Sequence, residues 1–145
     1  MGVLSVDGGQ EAEELMTEAG DARPVVLVVE DFEDNRFMMR RLLEMSGYRV
    51  VEAVNGNQAV ERAASENPDI ILMDLSLPQL DGLAATRRIR AQENARRVPI
   101  VAVSAHDSAD FHAEALAAGC NEYVTKPIDF DQLVQLLDQL TRKPQ

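Results

Sequence analysis

Short apolar runs alternate with helical patterns along most of this chain. From Pro24 onward, each run of mainly apolar residues is followed by a longer segment with apolar positions at intervals of three and four. This alternation is typical of repeated βαβ units, in which helices cover a parallel sheet. The continuous apolarity of 70–73 indicates a strand with both faces covered. The pattern therefore predicts an α/β domain with five parallel strands and five helices.

Turn and capping residues set the boundaries of these elements. Asp34 is a good N-cap for the first helix, and Gly47 suits the left-handed residue that follows its end. Asn67 precedes Pro68, which excludes it from the helical region and ends the second helix. A turn at Pro78 precedes the third helix. The predicted strands are 25–29, 48–53, 70–73, 99–103 and 122–125, and the predicted helices are 34–47, 57–66, 82–93, 109–118 and 130–140.

Residues 1–23 differ from the remainder of the chain. Gly, Glu and Asp dominate this segment, and Arg23 is its one basic residue. We expect a disordered acidic tail, because few large apolar side chains are present to be buried. A short helix at 11–18 that docks through Leu15 and Met16 is the alternative. The folded domain is expected at 24–143.

Composition excludes several classes of function. The formal net charge is −11, which opposes direct binding to nucleic acid because such binding depends on neutralising phosphates. No segment has the roughly 20 apolar residues that span a bilayer, and no secretory signal pattern is present. The single Cys120 cannot form a disulfide within the chain and is expected to be a buried, inert thiol. We expect a cytoplasmic protein without a membrane segment.

Charged residues follow three of the predicted strands. Glu30 and Asp31 follow the first strand, Asp74 follows the third, and Lys126 follows the fifth. Ligands of open α/β sheets bind beyond the carboxyl ends of the strands. The sequence therefore predicts one pocket that contains three carboxylates and one ammonium group.

Neighbouring carboxylates repel one another, by about 4 kcal/mol per pair at 4 Å and an effective dielectric near 20. Either protonation of one carboxyl group or a divalent cation offsets this repulsion. Mg²⁺ fits best, because it binds few carboxylates directly and keeps sites for water and phosphate oxygens. With a lysine beside it, the site suits phosphoryl transfer, and Asp74 is the natural nucleophile for an aspartyl phosphate.

These residues lie in segments that resemble a known family. The segments are Glu30-Asp31, the run 73–82 (Met-Asp-Leu-Ser-Leu-Pro-Gln-Leu-Asp-Gly), Val103-Ser104-Ala105 and the run 123–127 (Tyr-Val-Thr-Lys-Pro). In this order and spacing they resemble a response-regulator receiver domain of two-component signalling, and a CheY-like, single-domain regulator in particular. The resemblance covers almost everything after residue 23. It implies a flavodoxin-like, doubly wound sheet with strand order 2-1-3-4-5.

The resemblance also implies a phosphorylation site and a metal site. Asp74 resembles the phospho-acceptor, and Glu30 with Asp31 resembles the acidic pair that binds Mg²⁺. The backbone carbonyl of Ser76 is implied as a further metal ligand. Many family members have Asp at the position of Glu30, and the longer Glu side chain suggests contact with the metal through water.

The resemblance further implies a switch. Lys126 resembles the phosphate counter-ion, and Ser104 resembles the hydroxyl residue that moves onto the phosphoryl oxygen, although Thr is commoner there. Tyr123 resembles the switching aromatic, with a half-buried core tyrosine as the alternative. His106 is expected either to border the phosphoryl group or to be an exposed loop residue, and His112 is expected to be a solvated helix residue.

Two further sets of residues have plainer interpretations. A basic cluster is expected to form a solvated face, ahead of a docking patch, and comprises Arg87, Arg88, Arg90, Arg96 and Arg97. A set of methionines is expected to pack the first helix, with an added role at a partner surface left open, and comprises Met38, Met39 and Met45.

The predicted function is a phosphorylation-dependent signalling switch, not a classical enzyme. A histidine kinase or phosphotransfer protein is the expected donor, and the surface of helix four, strand five and helix five is expected to bind a downstream protein. The few residues after the fifth helix indicate a stand-alone module without an output domain. A phosphorylation-independent interaction module is an alternative. A haloacid-dehalogenase-type phosphohydrolase is less suitable because it requires Asp where Ser76 lies, and a nucleotide-binding protein would need a phosphate-binding loop after strand one.

Overall fold

A computed structural model describes residues 22–77 and 81–141 of the protein. The strands are β1 (Val25–Val29), β2 (Arg49–Ala53), β3 (Ile70–Asp74), β4 (Ile100–Ser104) and β5 (Glu122–Thr125). The helices are α1 (Glu33–Met45), α2 (Gly56–Glu66), α3 (Gly82–Arg90), α4 (Ala109–Ala118) and α5 (Phe130–Thr141), with a 3₁₀ turn at Glu93–Ala95.

The strands form one parallel sheet in the order β2-β1-β3-β4-β5. This is the predicted doubly wound architecture, and its topological switch point lies between β1 and β3. Register brings the strand ends together, since Val29 pairs with Met73 and Asp74 pairs with Val103. The residues that follow β1 and end β3 therefore lie side by side at one edge of the sheet.

Two apolar layers cover the sheet. One layer packs Leu27 and Ile71 against the small and aliphatic residues of α2, α3 and α4. The opposite layer packs Val28 and Leu72 against α1 and α5, including Leu43 and Leu137. Every residue of β3 and β4 is buried, as the continuous apolar run at 70–73 predicted for β3. The sheet thus forms a rigid base for the residues at its carboxyl edge.

The start of α1 differs from the prediction that Asp34 is its N-cap. The N-cap is Phe32, which makes no side-chain cap hydrogen bond, and Asp34 lies in the first turn. The carboxylate of Glu30 accepts the backbone N–H of Phe32 at 3.0 Å, which fixes the chain just before the helix. Acidic residues in a first turn also interact favourably with the helix dipole.

The ends of the helices follow local backbone chemistry. Gly47 has φ +98° after α1, as predicted. Asn67 ends α2 at φ 46°, in the left-handed region that asparagine tolerates. The third helix stops at Arg90, shorter than the predicted 82–93, because Gln92 is extended before the 3₁₀ turn.

Two predictions about side-chain environment were wrong for some of their residues, although the other four arginines of the basic cluster are exposed as predicted. Arg90 is not part of a solvated face, since its guanidinium donates to the carbonyls of Gly119 at 2.7 Å and Val98 at 2.5 Å. Among the methionines, Met39 is buried in the core, whereas Met38 and Met45 are 53% and 77% exposed. Helix periodicity alone did not separate these methionines.

Other predictions concern different parts of the chain. Cys120 is a free, buried thiol, as predicted, and burial raises its pKa. Within the described residues, none of the helices combines the length and apolarity needed to cross a bilayer. The acidic segment 1–21 with its alternative helix at 11–18, the turn at Pro78 and positions 142–143 lie outside the described residues.

Candidate phosphoryl-transfer site

Three carboxylates meet beyond the carboxyl ends of β1 and β3. The side chains of Glu30, Asp31 and Asp74, termed the acidic cluster below, place ligand oxygens within 4.8 Å of one another. Glu30 and Asp74 are only 6% and 5% exposed, whereas Asp31 is exposed to solvent. The strand order predicted from the sequence therefore brings these acids together.

Asp74 is held by a backbone amide and by an ammonium group. Its Oδ1 atom accepts the N–H of Ser76 at 2.9 Å, and its Oδ2 atom lies 3.4 Å from Nζ of Lys126. Lys126 is itself fixed at the end of β5, because its backbone N–H donates to the carbonyl of Ser104 at 2.8 Å. The lysine thus supplies positive charge at the carboxylate that is the candidate nucleophile.

The start of α3 closely approaches the backbone at the end of β3. Asp81 caps α3 by accepting the N–H of Ala84 at 2.8 Å, and Gly82 then passes against the end of β3. A Cβ atom on Gly82 would lie 2.5 Å from the carbonyl oxygen of Asp74 and 2.7 Å from Cα of Leu75. Only glycine fits here without a backbone shift, so Gly82 allows the start of α3 to pack closely against the end of β3.

Electrostatics at Glu30 are unfavourable to its charge. Burial raises the pKa of the Glu30 carboxyl group, and the nearby charge of Asp74 acts in the same direction. The hydrogen bond from Phe32 and the charge of Lys126 oppose this shift of the pKa. The acidic cluster therefore favours binding of a cation, which would offset the negative charge of these carboxylates.

The donor set of the acidic cluster fits a hard divalent cation. Carboxylate oxygens are the ligands that Mg²⁺ prefers, together with water and phosphate oxygens. Two of the three acids are buried side by side, and Lys126 is the one ammonium group that contacts them among the described residues. The backbone carbonyl of Ser76 follows Asp74 by two positions, and its part as a ligand stays a prediction.

Ser104 lies at the end of β4, beside Asp74 in the sheet. It is 1% exposed, and its hydroxyl oxygen accepts the backbone N–H of His106 at 3.1 Å. The imidazole of His106 stacks on the ring of Phe111, with centroids 4.2 Å apart and planes 4° apart. The predicted switch hydroxyl is thus tied to the loop that follows β4.

Tyr123 is half-buried, and its hydroxyl group donates to the carbonyl of His106 at 2.7 Å. The imidazole of His112 stacks on the Tyr123 ring, with centroids 3.9 Å apart and planes 24° apart. His112 is a partly solvated helix residue, in line with the prediction, but its stacking on Tyr123 was not predicted. Helix α4 packs against β5 and places position 112 over Tyr123, a contact that no local sequence pattern signals.

Asp107 is a further residue that sequence reasoning missed. Its Oδ1 atom lies 3.3 Å from Nε2 of His112 and also accepts the hydroxyl group of Thr125 at 3.3 Å. The carboxylate joins the loop after β4 to α4 and to β5. Its position just before the Ser108 N-cap is the only sequence signal, and an acid there is common in helix-start loops.

An apolar groove of about 380 Å³ borders the site between α1 and the loop after β5. Its lining combines Met38 and Phe130 with the charged residues Glu30 and Lys126. Phe37, on the same helix as Met38, is 59% exposed. Apolar surface of this groove therefore borders Glu30 of the acidic cluster.

A family model and known protein sequences match most of this chain. The family model of the response regulator receiver domain matches residues 26–138. The polar-differentiation response regulator DivK of Brucella anthropi is 34% identical over 112 residues, which cover 77% of this chain and 91% of that protein.

Solved structures show the same fold. The receiver domain of the sensor histidine kinase PA1611 from Pseudomonas aeruginosa, with a magnesium ion in its active-site cleft, is 42% identical with a TM-score of 0.77, covering 83% of this chain and 98% of that one. The chemotaxis protein CheY4 of Vibrio cholerae is 27% identical with a TM-score of 0.78, covering 82% and 99%.

Proposed function

Because this chain belongs to the response regulator receiver domain family of two-component signalling, we propose that Asp74 accepts a phosphoryl group from a phosphohistidine. The observation that carries the proposal is the placement of a buried carboxylate between an ammonium group and two further acids. An acid at the end of a fully buried strand is costly unless it is used. The family and the geometry thus favour the same acceptor.

The transfer forms one bond and breaks one. A carboxylate oxygen of Asp74 bonds to phosphorus, the bond from phosphorus to the donor imidazole nitrogen breaks, and that nitrogen leaves with its electron pair. Lys126 then contacts a phosphoryl oxygen and offsets its negative charge. The N–H of Ser76 keeps the carboxylate oriented during attack, since it already holds Oδ1.

Mg²⁺ is the proposed cofactor. Asp31, Asp74 and the carbonyl of Ser76 would hold it directly, and Glu30 would act through water. When bound, the metal would neutralise charge on the phosphoryl oxygens. The proposal is supported by the oxygen-rich acidic cluster and by the magnesium ion named for the PA1611 receiver domain.

The proposed donor is a histidine kinase or a phosphotransfer protein. The apolar groove between α1 and the loop after β5 suits its docking, because Glu30 and Lys126 of the site line it together with the exposed side chain of Met38. The proposed output is a protein that binds the surface of α4, β5 and α5. The proposed location is the reducing cytosol, consistent with the free thiol of Cys120.

Phosphorylation with a small donor tests the proposal. The full chain is incubated with acetyl phosphate and Mg²⁺, and intact mass is measured. We expect one added phosphoryl group that hydroxylamine removes, as it does acyl phosphates, and no addition in Asp74→Asn. Asp34→Asn, an exposed acid in the first turn of α1, is the matched control and should label like the parent. Full labelling of Asp74→Asn would refute the acceptor.

A further inference from the structure

The side chain of Arg36 contacts the backbone of the two acids that follow β1. Arg36 lies at the beginning of α1, and its Nη1 atom donates to the carbonyl oxygen of Glu30 at 3.1 Å. The same nitrogen lies 3.5 Å from the carbonyl oxygen of Asp31, which is a weaker contact. The backbone N–H of Arg36 also donates to the carbonyl of Phe32 at 3.0 Å. One residue thus restrains the whole loop that carries the acidic pair.

Arg36 is itself anchored to the neighbouring strand. Its Nε atom lies 3.1 Å from Oε1 of Glu52 on β2, and only 15% of its side chain is exposed. The other carboxylate oxygen of Glu52 accepts Nη1 of Arg40 at 2.7 Å. Burial tends to raise the pKa of Glu52, but the hydrogen bonds from Arg40 and Arg36 lower it, so this carboxylate is charged at neutral pH. The guanidinium group of Arg36 therefore has a fixed position between β2 and the loop after β1.

The loop after β1 gains little order from other sources. Four of the five residues at 30–34 are acidic, so their charges repel one another. The N-cap Phe32 makes no side-chain cap hydrogen bond. Asp31 is exposed, so core packing contributes little to the orientation of its carboxylate. The hydrogen bonds of Arg36 supply a restraint that packing does not.

We propose that Arg36 is a positioning residue for the metal site, which fixes the backbone at positions 30 and 31 so that the carboxylate of Asp31 meets that of Asp74. The inference rests on the proposed binding of Mg²⁺. Mg²⁺ demands near-ideal octahedral geometry, so its affinity depends on how well its ligands are oriented before it binds. Replacing a residue that orients metal ligands typically costs about 10- to 100-fold in metal affinity.

The charge of Arg36 and its hydrogen bonds have opposite effects on a bound cation. A guanidinium group near the acidic cluster repels Mg²⁺, so loss of the charge alone would tighten Mg²⁺ binding. Loss of the hydrogen bonds frees the backbone of the acidic pair and weakens Mg²⁺ binding. The sign of the change in Mg²⁺ affinity therefore separates positioning from electrostatic repulsion.

Mg²⁺ titration of the full chain, followed by calorimetry and by nuclear magnetic resonance of backbone amides, tests the inference. We expect Arg36→Ala to weaken Mg²⁺ binding about 10-fold. Before Mg²⁺ is added, the amide signals of Glu30 and Asp31 should already differ from those of the parent. Arg36→Lys keeps the charge but loses the planar array of donors, so it should recover only part of the affinity.

Arg40→Ala is the matched control. Arg40 bonds the same carboxylate as Arg36, that of Glu52, but its side chain is 43% exposed and its recorded contacts are with the carboxylates of Glu52 and Glu44. Its charge is screened by solvent, so we expect Arg40→Ala to change the Mg²⁺ affinity by less than about 2-fold. The amide signals of the acidic pair should stay at their parent positions in this control.

The outcomes separate this inference from the proposed function. A parent that binds no Mg²⁺ refutes the proposed metal site and the inference together. A parent that binds Mg²⁺, with equal or tighter binding in Arg36→Ala, refutes the role of Arg36 alone. Equal losses of affinity in Arg36→Ala and Arg40→Ala also refute that role, because the effect would then come from the altered pairing of Glu52.

A second variant covers the case in which Arg36→Ala does not fold. Tyr48 is 2% exposed and donates to Asp138 at 2.5 Å, so its ring signal reports whether each variant is folded. If that signal shows that Arg36→Ala is unfolded, Arg36→Lys replaces it. Weaker Mg²⁺ binding in Arg36→Lys than in the parent supports the inference, and unchanged binding refutes it.

Discussion

Replacing Glu30 by glutamine is predicted to stabilise the metal-free protein. The side chain keeps its shape and keeps an oxygen to accept the N–H of Phe32, so the substitution mainly removes a buried charge. Burial and Asp74 both raise the pKa of Glu30, which means that its ionised form costs stability in the fold. Glu30→Gln therefore measures how much the buried charge of Glu30 in the acidic cluster lowers the free energy of unfolding.

The magnitude follows from the spacing of the acidic cluster. Ligand oxygens within 4.8 Å of one another correspond to about 3.5 kcal/mol of repulsion per pair at an effective dielectric near 20. The positive charge of Lys126 offsets part of this repulsion. We expect a net gain of about 1–3 kcal/mol in the free energy of unfolding, or about 4 °C in Tm for each kcal/mol.

The pH dependence of the free energy of unfolding tests whether the charge of Glu30 destabilises the fold. A raised pKa means that the parent loses stability as pH rises from about 4.5, the ordinary value for Glu30, through its higher value in the fold. The advantage of Glu30→Gln in the free energy of unfolding should thus be absent below about pH 4 and complete once the pH exceeds the raised pKa of Glu30. Mg²⁺ should reduce this stability difference between Glu30→Gln and the parent, because a bound cation stabilises the parent by mass action.

This prediction is tested by thermal and urea unfolding of the parent and Glu30→Gln between pH 4 and pH 8, with a chelator present to remove metal. Glu33→Gln is the matched control, since Glu33 is an exposed acid in the first turn of α1 and favours the helix dipole. That control should change stability by about 0.5 kcal/mol or less, with a loss rather than a gain. Equal or lower stability of Glu30→Gln at pH 8 would refute the electrostatic reasoning.

Further predictions address the metal, the switch and the framework. Asp31→Ala should weaken Mg²⁺ binding more than Glu30→Ala, because a direct ligand is lost, and calorimetric titration that ranks them in reverse would contradict the assignment. Ser104→Ala should keep phosphorylation by acetyl phosphate and reduce the chemical-shift changes of α4 and β5, so full changes would exclude Ser104 from the switch. Arg90→Ala should lower the free energy of unfolding by about 2–4 kcal/mol, because the carbonyls of Gly119 and Val98 lose their donor. Arg90→Lys should recover only part of this stability, because an ammonium group lacks the planar array of donors of a guanidinium group. Gly82→Ala should also destabilise, and a neutral result in chemical denaturation would mean that the loop after β3 relaxes freely.

Sequence reasoning was effective where function depends on strand topology. Glu30, Asp74 and Lys126 each lie at a fixed place relative to a strand, and parallel strands bring such places to one edge. The position of each residue on a strand end therefore sufficed to predict that they meet. No knowledge of side-chain packing was needed, because the register of a buried parallel sheet is set by its apolar faces.

Prediction failed where a contact depends on how elements pack. The acceptors of Arg90 are backbone carbonyls as far along the chain as Gly119, and no residue type marks such acceptors. The stacking of His112 on Tyr123 depends on the placement of α4 over β5, and a lone histidine on a helix carries no information about it. Local periodicity gives the face of a helix but not the residue that this face meets.

The carboxylates of the acidic cluster affect both the stability of the metal-free fold and the proposed binding of a metal ion. Asp74 ends a strand in which every residue is buried, so the fold holds this carboxylate where solvent stabilises it poorly. Repulsion between Asp74 and Glu30 is a cost in the metal-free protein, and relief of that repulsion adds to the binding energy of any cation that arrives. A substitution that stabilises the metal-free fold at this site should therefore weaken metal binding.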